Sequence, residues 1–99
     1  MEISRSLDTV TIKGNIKSIS DYQKIKETID AILQTPNQKR VHIKIPDSIS
    51  MTSSVIGYLS KLVNDGIKIE LDVGNPELIE LLDDLRLTEL FNVKKVSHY

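Results

Sequence analysis

The stretch Ile67-Lys68-Ile69-Glu70-Leu71-Asp72-Val73-Gly74-Asn75-Pro76-Glu77-Leu78 contains a strand and the start of a helix. Ile67, Ile69, Leu71 and Val73 alternate with Lys68, Glu70 and Asp72, the period-2 pattern of a strand with one apolar and one polar face. Asn75 then offers a cap, and Pro76 takes the first helical position, where no N–H is needed. Leu78, Leu81, Leu82 and Leu85 continue as an inner helical face, with Glu77, Glu80, Asp83 and Asp84 outside. A strand buried on both sides would be apolar throughout. This one is not, so the expectation is a sheet covered by helices mainly on one face, and a doubly wound sheet is excluded.

Upstream the same logic repeats. Val41, Ile43 and Ile45 alternate with His42 and Lys44, and Pro46 stops that strand. Between the two strands, Val55, Ile56, Tyr58, Leu59, Leu62 and Val63 predict a helix apolar over a wide arc, the most buried of the domain, ended by Asp65-Gly66. Ser20-Asp21-Tyr22-Gln23 has the form of a capping box. Behind it Tyr22, Ile25, Ile29, Ile32 and Leu33 predict a helix that ends near Gln34, before Thr35-Pro36-Asn37. Thr9 to Ile12 alternates as a half-buried strand followed by the turn signal Gly14-Asn15, and Glu2 to Leu7 is a pairing strand of weaker pattern. Leu87 to Phe91 reads as a short turn and Val93 to Val96 as a last edge strand. The expected order is β-β-α-β-α-β-α-β in a mixed sheet.

Ninety-nine residues with 39% apolar content suit one domain, residues 1–99, with a single core. There is no internal repeat or linker-like tract. The absence of cysteine removes disulfides and thiolate metal sites and fits a reducing cytoplasm. The N-terminus has no apolar block of the signal-peptide kind, and no run approaches membrane-spanning length. A net charge of −1 and four aromatic residues (Tyr22, Tyr58, Phe91, Tyr99) argue against nucleic-acid binding. Residues 1–46 carry eight Lys/Arg and five Asp/Glu, whereas 47–92 carry three and nine. That acidic excess reads first as a solvated helix face, and second as a surface that steers a basic partner.

Catalytic signals are missing. The four glycines (Gly14, Gly57, Gly66, Gly74) form no phosphate loop, and His42 and His98 have no companions at metal-ligand spacing. His42 is expected on the solvated sheet face and His98 in the C-terminal tail. No nucleophile stands with a base. The expectation is a protein that is not an enzyme and carries no metal or cofactor.

The hydroxyl cluster Thr52-Ser53-Ser54 stands where a loop meets the apolar helical run. There it is either an ordinary cap or a place where a phosphate would meet free amides and the positive end of the helix dipole. Together with the element order, the run Thr52-Ser53-Ser54-Val55-Ile56-Gly57 resembles the Asp-Ser-Ser/Thr/Ala-Gly-Leu-Gly motif of the STAS domain, the fold of bacterial anti-sigma factor antagonists. The resemblance extends over about residues 8–97. It includes the strand Ile67–Val73, the Pro-containing helix start Asn75-Pro76 and its Leu-rich continuation. It also includes Arg86-Leu87-Thr88-Glu89-Leu90-Phe91, where the family shows Gly-Leu and an aromatic. Thr52 stands in place of the family's Asp, and Val55 in place of its Gly.

The resemblance implies a cytoplasmic partner-switching module in transcription regulation. Its unphosphorylated form binds an anti-sigma factor of serine-kinase type, and a phosphatase reverses phosphorylation. By position the phosphorylated residue is Ser53, with Ser54 and Thr52 as weaker candidates. The implied contact surface comprises Asp47, Ser48, Ser50, Thr52, Ser53, Ser54, Gly57 and Lys61. The alternative within the same fold is an accessory subunit that binds the ATPase of an ABC transporter for phospholipid trafficking. A third reading is a scaffold without a switch, a monomer or a weak homodimer paired through edge strands.

Overall fold

The computed structural model describes residues 1–96; His98 and the end of the resemblance lie outside them. Five strands and three helices follow one another as β1 (Glu2–Ser6), β2 (Thr9–Lys13), α1 (Ile19–Leu33), β3 (Arg40–Ile45), α2 (Ser53–Asn64), β4 (Lys68–Val73), α3 (Pro76–Asp84) and β5 (Val93–Lys95). The sheet order is β1-β2-β3-β4-β5. β1 and β2 form an antiparallel pair, and β2 to β5 are parallel neighbours.

Each parallel step adds a strand on the same side, so a constant right-handed crossover puts every helix on one face of the sheet. Burial agrees: Val10, Ile12, Val41, Ile43, Ile45, Ile69, Leu71 and Val73 are at most 1% exposed, while Thr9, Thr11, His42, Lys44, Glu70 and Asp72 are half-buried on the other face. The core also takes in Ile16, Met51 and Phe91 from loops. Of the helices, α2 buries Val55, Tyr58, Leu59 and Leu62, more than α1 or α3.

Helix α1 starts earlier than its sequence suggests. The cap is Ser18, not Ser20: the Ser18 hydroxyl accepts from the Asp21 amide at 3.0 Å, and the Asp21 carboxylate accepts from the amides of Ser18 and Lys17. The Lys17 bond is the main reason the Asp21 carboxyl is held below its ordinary pKa. A carboxylate at the third helical position is a stronger acceptor than Gln23 two residues further on, and it also meets the helix dipole. β3 begins at Arg40 and β4 at Lys68, each shifted by one residue from the periodic pattern.

Two helices end in the same way. After α2, the Ile67 amide donates to the Leu62 carbonyl and the Gly66 amide to the Val63 carbonyl, with Gly66 at φ +88°. After α3, Leu87 donates to Leu82 and Arg86 to Asp83, and here the left-handed residue is Arg86 at φ +58°. A side chain in that conformation costs on the order of 1 kcal/mol that glycine avoids. Arg86→Gly is therefore expected to raise unfolding stability by about 1 kcal/mol, read as a higher urea midpoint at unchanged slope.

Candidate functional site

The loop between β3 and α2 (residues 46–52) is fixed at both ends and in the middle. At its start, the Gly74 amide donates to the Ile45 carbonyl at 3.0 Å, and a Cβ on Gly74 would collide with the Pro46 carbonyl. Only glycine lets the end of β4 approach the loop so closely. In the middle, Ser48 is fully buried. Its hydroxyl accepts from the Ile16 amide at 3.0 Å and donates to the Ser50 carbonyl at 2.6 Å. The Asn15 carboxamide oxygen accepts from the Ile49 amide at 3.1 Å. At the end, the Thr52 hydroxyl caps α2 by accepting from the Val55 amide at 3.3 Å.

These ties separate the expected contact residues. Ser48 has no accessible surface, so its expected place in a partner contact is corrected: it holds two loops together from inside. Ser50 is exposed, with its carbonyl engaged by Ser48. Asp47 is exposed and receives the Gly14 amide at 3.4 Å, and it lines a concavity on the open sheet face rather than the helical side. Thr52 is half-buried and spent on capping, whereas Ser53 and Ser54 are exposed as the first two residues of α2. Their amides precede the first intrahelical hydrogen bond, and the first turn carries no acidic residue.

Ser53, Gly57 and Lys61 follow at i, i+4 and i+8 and form one exposed stripe along α2. Gly57 matters most here. A Cβ at this position would meet no atom within 4 Å, so packing does not require the missing side chain. Helical glycine costs roughly 0.5–1 kcal/mol relative to alanine, and nothing within the chain compensates for it.

Beside the stripe runs a groove of about 610 Å³ between α1 and α2, bounded by Tyr22, Lys26 and Asp30 on one side and Ser54, Gly57 and Lys61 on the other. Its floor is organised around Tyr58. The Tyr58 hydroxyl donates to Asp30 at 2.5 Å, Tyr22 meets the ring edge-on at 6.4 Å, and the Lys26 ammonium lies 5.6 Å from the ring centre while pairing with Asp30 at 2.7 Å. Burial, reinforced by the bond to Asp30, pushes the Tyr58 hydroxyl far above its usual range. Asp30 responds to opposing influences. Partial burial raises its pKa, but the hydrogen bonds from Lys26 and Tyr58 prevail and hold the carboxyl below its ordinary value.

No protein-family model matches the chain. No curated protein matches it significantly. Among the described residues, no group of His, Asp and Glu is placed to hold a metal ion, and no helix is long and apolar enough to cross a membrane.

Sequence reasoning missed the α1 wall of the groove, although Tyr22, Lys26 and Asp30 recur at helical spacing. It also missed Ile19 at the start of α1 and Ile49 within the loop, which are 74% and 47% exposed. Ile49 is an apolar side chain in a polar loop, which is the signal that could have revealed it.

Two substitutions test this construction in opposite directions. Ser48→Ala leaves the buried Ile16 amide without its acceptor and is expected to destabilise by about 1–3 kcal/mol in urea titration. Gly57→Ala is expected to stabilise by roughly 0.5–1 kcal/mol in the same assay.

Proposed function

We propose that this chain is a cytoplasmic, non-enzymatic regulatory module of STAS type that binds a kinase-like anti-sigma factor. The contact comprises the α2 stripe Ser53, Ser54, Gly57 and Lys61, together with exposed loop residues such as Ser50. Gly57 carries the reading: an exposed helical glycine that the fold does not need leaves room for another molecule to approach the backbone.

The two departures from the family motif, and Arg86 in the later landmark, are absorbed without loss of local geometry. Thr52 caps the helix where the family has Asp, because either side chain supplies an oxygen to the third amide. Val55 stands where the family has Gly and is packed into the core at 1% exposure. Arg86 stands where the family has Gly and adopts the left-handed backbone that glycine favours. The cap at Thr52 and the left-handed backbone at Arg86 support the STAS reading at positions that strand and helix periodicity does not inform.

In this reading Ser53 is the switch. A phosphate there adds about −1.5 to −2 charges at a helix start whose first amides can accept it. The partner would then face charge and bulk where it had packed against a neutral hydroxyl. A second reading keeps the surface without the switch, as an accessory subunit on a transporter ATPase. The observation favouring it is the neutral Thr52 cap, which removes the carboxylate next to the phosphorylated hydroxyl of the family.

The experiment is a pull-down and binding titration of a kinase-like partner with the parent, Ser53→Ala and Ser53→Asp, alongside mass analysis of Ser53 after incubation with that kinase. A regulatory switch predicts one added phosphate at Ser53, parent-like binding by Ser53→Ala and at least about tenfold weaker binding by Ser53→Asp, or about 1.4 kcal/mol. Equal binding by both variants, with no phosphate on Ser53, removes the switch and leaves the contact-only reading.

A further inference from the structure

The face of the sheet opposite the helices is sorted by charge along the strands. Register sets Ser4, Thr11, Lys44, Asp72 and Lys94 in one row across it, with His42 and Glu70 in the row below. Near the start of the parallel strands the charges are matched: Arg40 pairs with Glu70 at 2.8 Å, and Lys68 approaches the same carboxylate at 3.9 Å. His42 Nε2 lies 2.7 Å from the Asp72 carboxylate. Asp72 is thus turned toward His42, although Lys44 and Lys94 flank it in register. Among the described residues, Lys13, Lys44 and Lys94 have no ion-pair partner.

Two of these lysines open onto a concavity of about 300 Å³ at the C-terminal ends of β2 and β3. Lys13 and Lys44 occupy diagonal positions on neighbouring parallel strands, about 8 Å apart by strand spacing and rise, with Thr11 beside Lys44 in register and two residues before Lys13. Two flexible ammoniums at that distance can converge on one oxyanion, and a dianion there relieves their mutual repulsion. The rest of the wall is different. Pro46 and Val96 supply apolar surface, and Asp47 and Asp72 also line the space, each already accepting one bond, Asp47 from Gly14 and Asp72 from His42. A bare anion would be opposed by those carboxylates, whereas a ligand with hydroxyls at its other end would donate to them.

We propose that this concavity binds a small phosphorylated polyol, with its phosphate on Lys13 and Lys44 beside Thr11 and its hydroxyls toward Asp47 and Asp72. The site lies across the sheet from α2 and does not rest on the partner-binding reading.

The test is amide chemical-shift titration of the full chain at low salt with ribose 5-phosphate, inorganic phosphate and ribose. Sodium chloride at equal ionic strength serves as the control. Ribose 5-phosphate is expected to shift Thr11, Lys13, Lys44 and Asp72, inorganic phosphate to do so more weakly, and ribose not at all. The variant Lys13→Gln/Lys44→Gln, shown to be folded by circular dichroism, should lose at least about tenfold in affinity through the missing charge-assisted hydrogen bonds. Lys39→Gln, exposed just before β3 and outside both candidate sites, should bind as the parent does. The proposal is overturned if the shifts are absent, reproduced by sodium chloride, or centred on the Ser53 and Ser54 amides. Unchanged affinity in the double variant overturns it as well.

Discussion

The organisation of this molecule follows from the direction in which its parallel strands are added. β2, β3, β4 and β5 lie side by side in chain order, so crossovers of one hand leave every helix on the same side. One sheet face then holds the apolar core, and the other must be compatible with water along its whole width. Parallel strands are usually covered on both faces. Here the uncovered side is met by threonine hydroxyls and by cross-strand pairs such as Arg40 with Glu70 and His42 with Asp72. The alternation along β3 and β4 is the sequence form of that one-sided cover.

The same topology explains why the Ser53 helix start and the lysine-lined concavity lie at one end. Connections out of parallel strands begin at their C-terminal ends, where open α/β sheets tend to bind ligands. The segment after β3 leaves that end as Pro46, runs past Asp47 on the open side, turns inward at Ser48 and arrives at the Thr52 cap on the helical side. It is one short path between two faces. Ser48 holds it by replacing a backbone partner for Ile16 with a buried hydroxyl, a stable arrangement only because both its donor and its acceptor roles are filled.

Features with a local physical origin were legible from sequence. Period-2 alternation in β3 and β4, the Asn75-Pro76 helix start and the left-handed Gly66 each depend on neighbours within a few residues. The cap of α1 was misplaced because Ser18 and Ser20 are equivalent until the Asp21 carboxylate selects between them. Ser48 was read as surface because a serine in a polar loop normally is; its burial depends on Ile16, 32 positions away. Within the hydroxyl cluster, sequence placed Thr52, Ser53 and Ser54 at a helix start. It could not assign Thr52 to the cap and its neighbours to the surface, which takes the actual phase of the helix. The spare room at Gly57 is likewise a three-dimensional property.

The neutral cap has an electrostatic consequence for the proposed switch. A carboxylate at the cap would sit one residue from a phosphate on Ser53, and two like charges about 6 Å apart in water repel by roughly 0.7 kcal/mol for each unit of charge. A phosphoserine near −2 doubles that to somewhat over 1 kcal/mol. Thr52 caps the same amide without this repulsion, and no other acidic residue enters the first turn of α2. On the STAS reading, replacing Asp by Thr thus makes the phosphorylated helix start easier to accommodate while removing a charge that a kinase could recognise. The substitution separates two roles that a carboxylate combines. The geometry of the helix start is kept, and the electrostatic cost of a phosphate beside it falls.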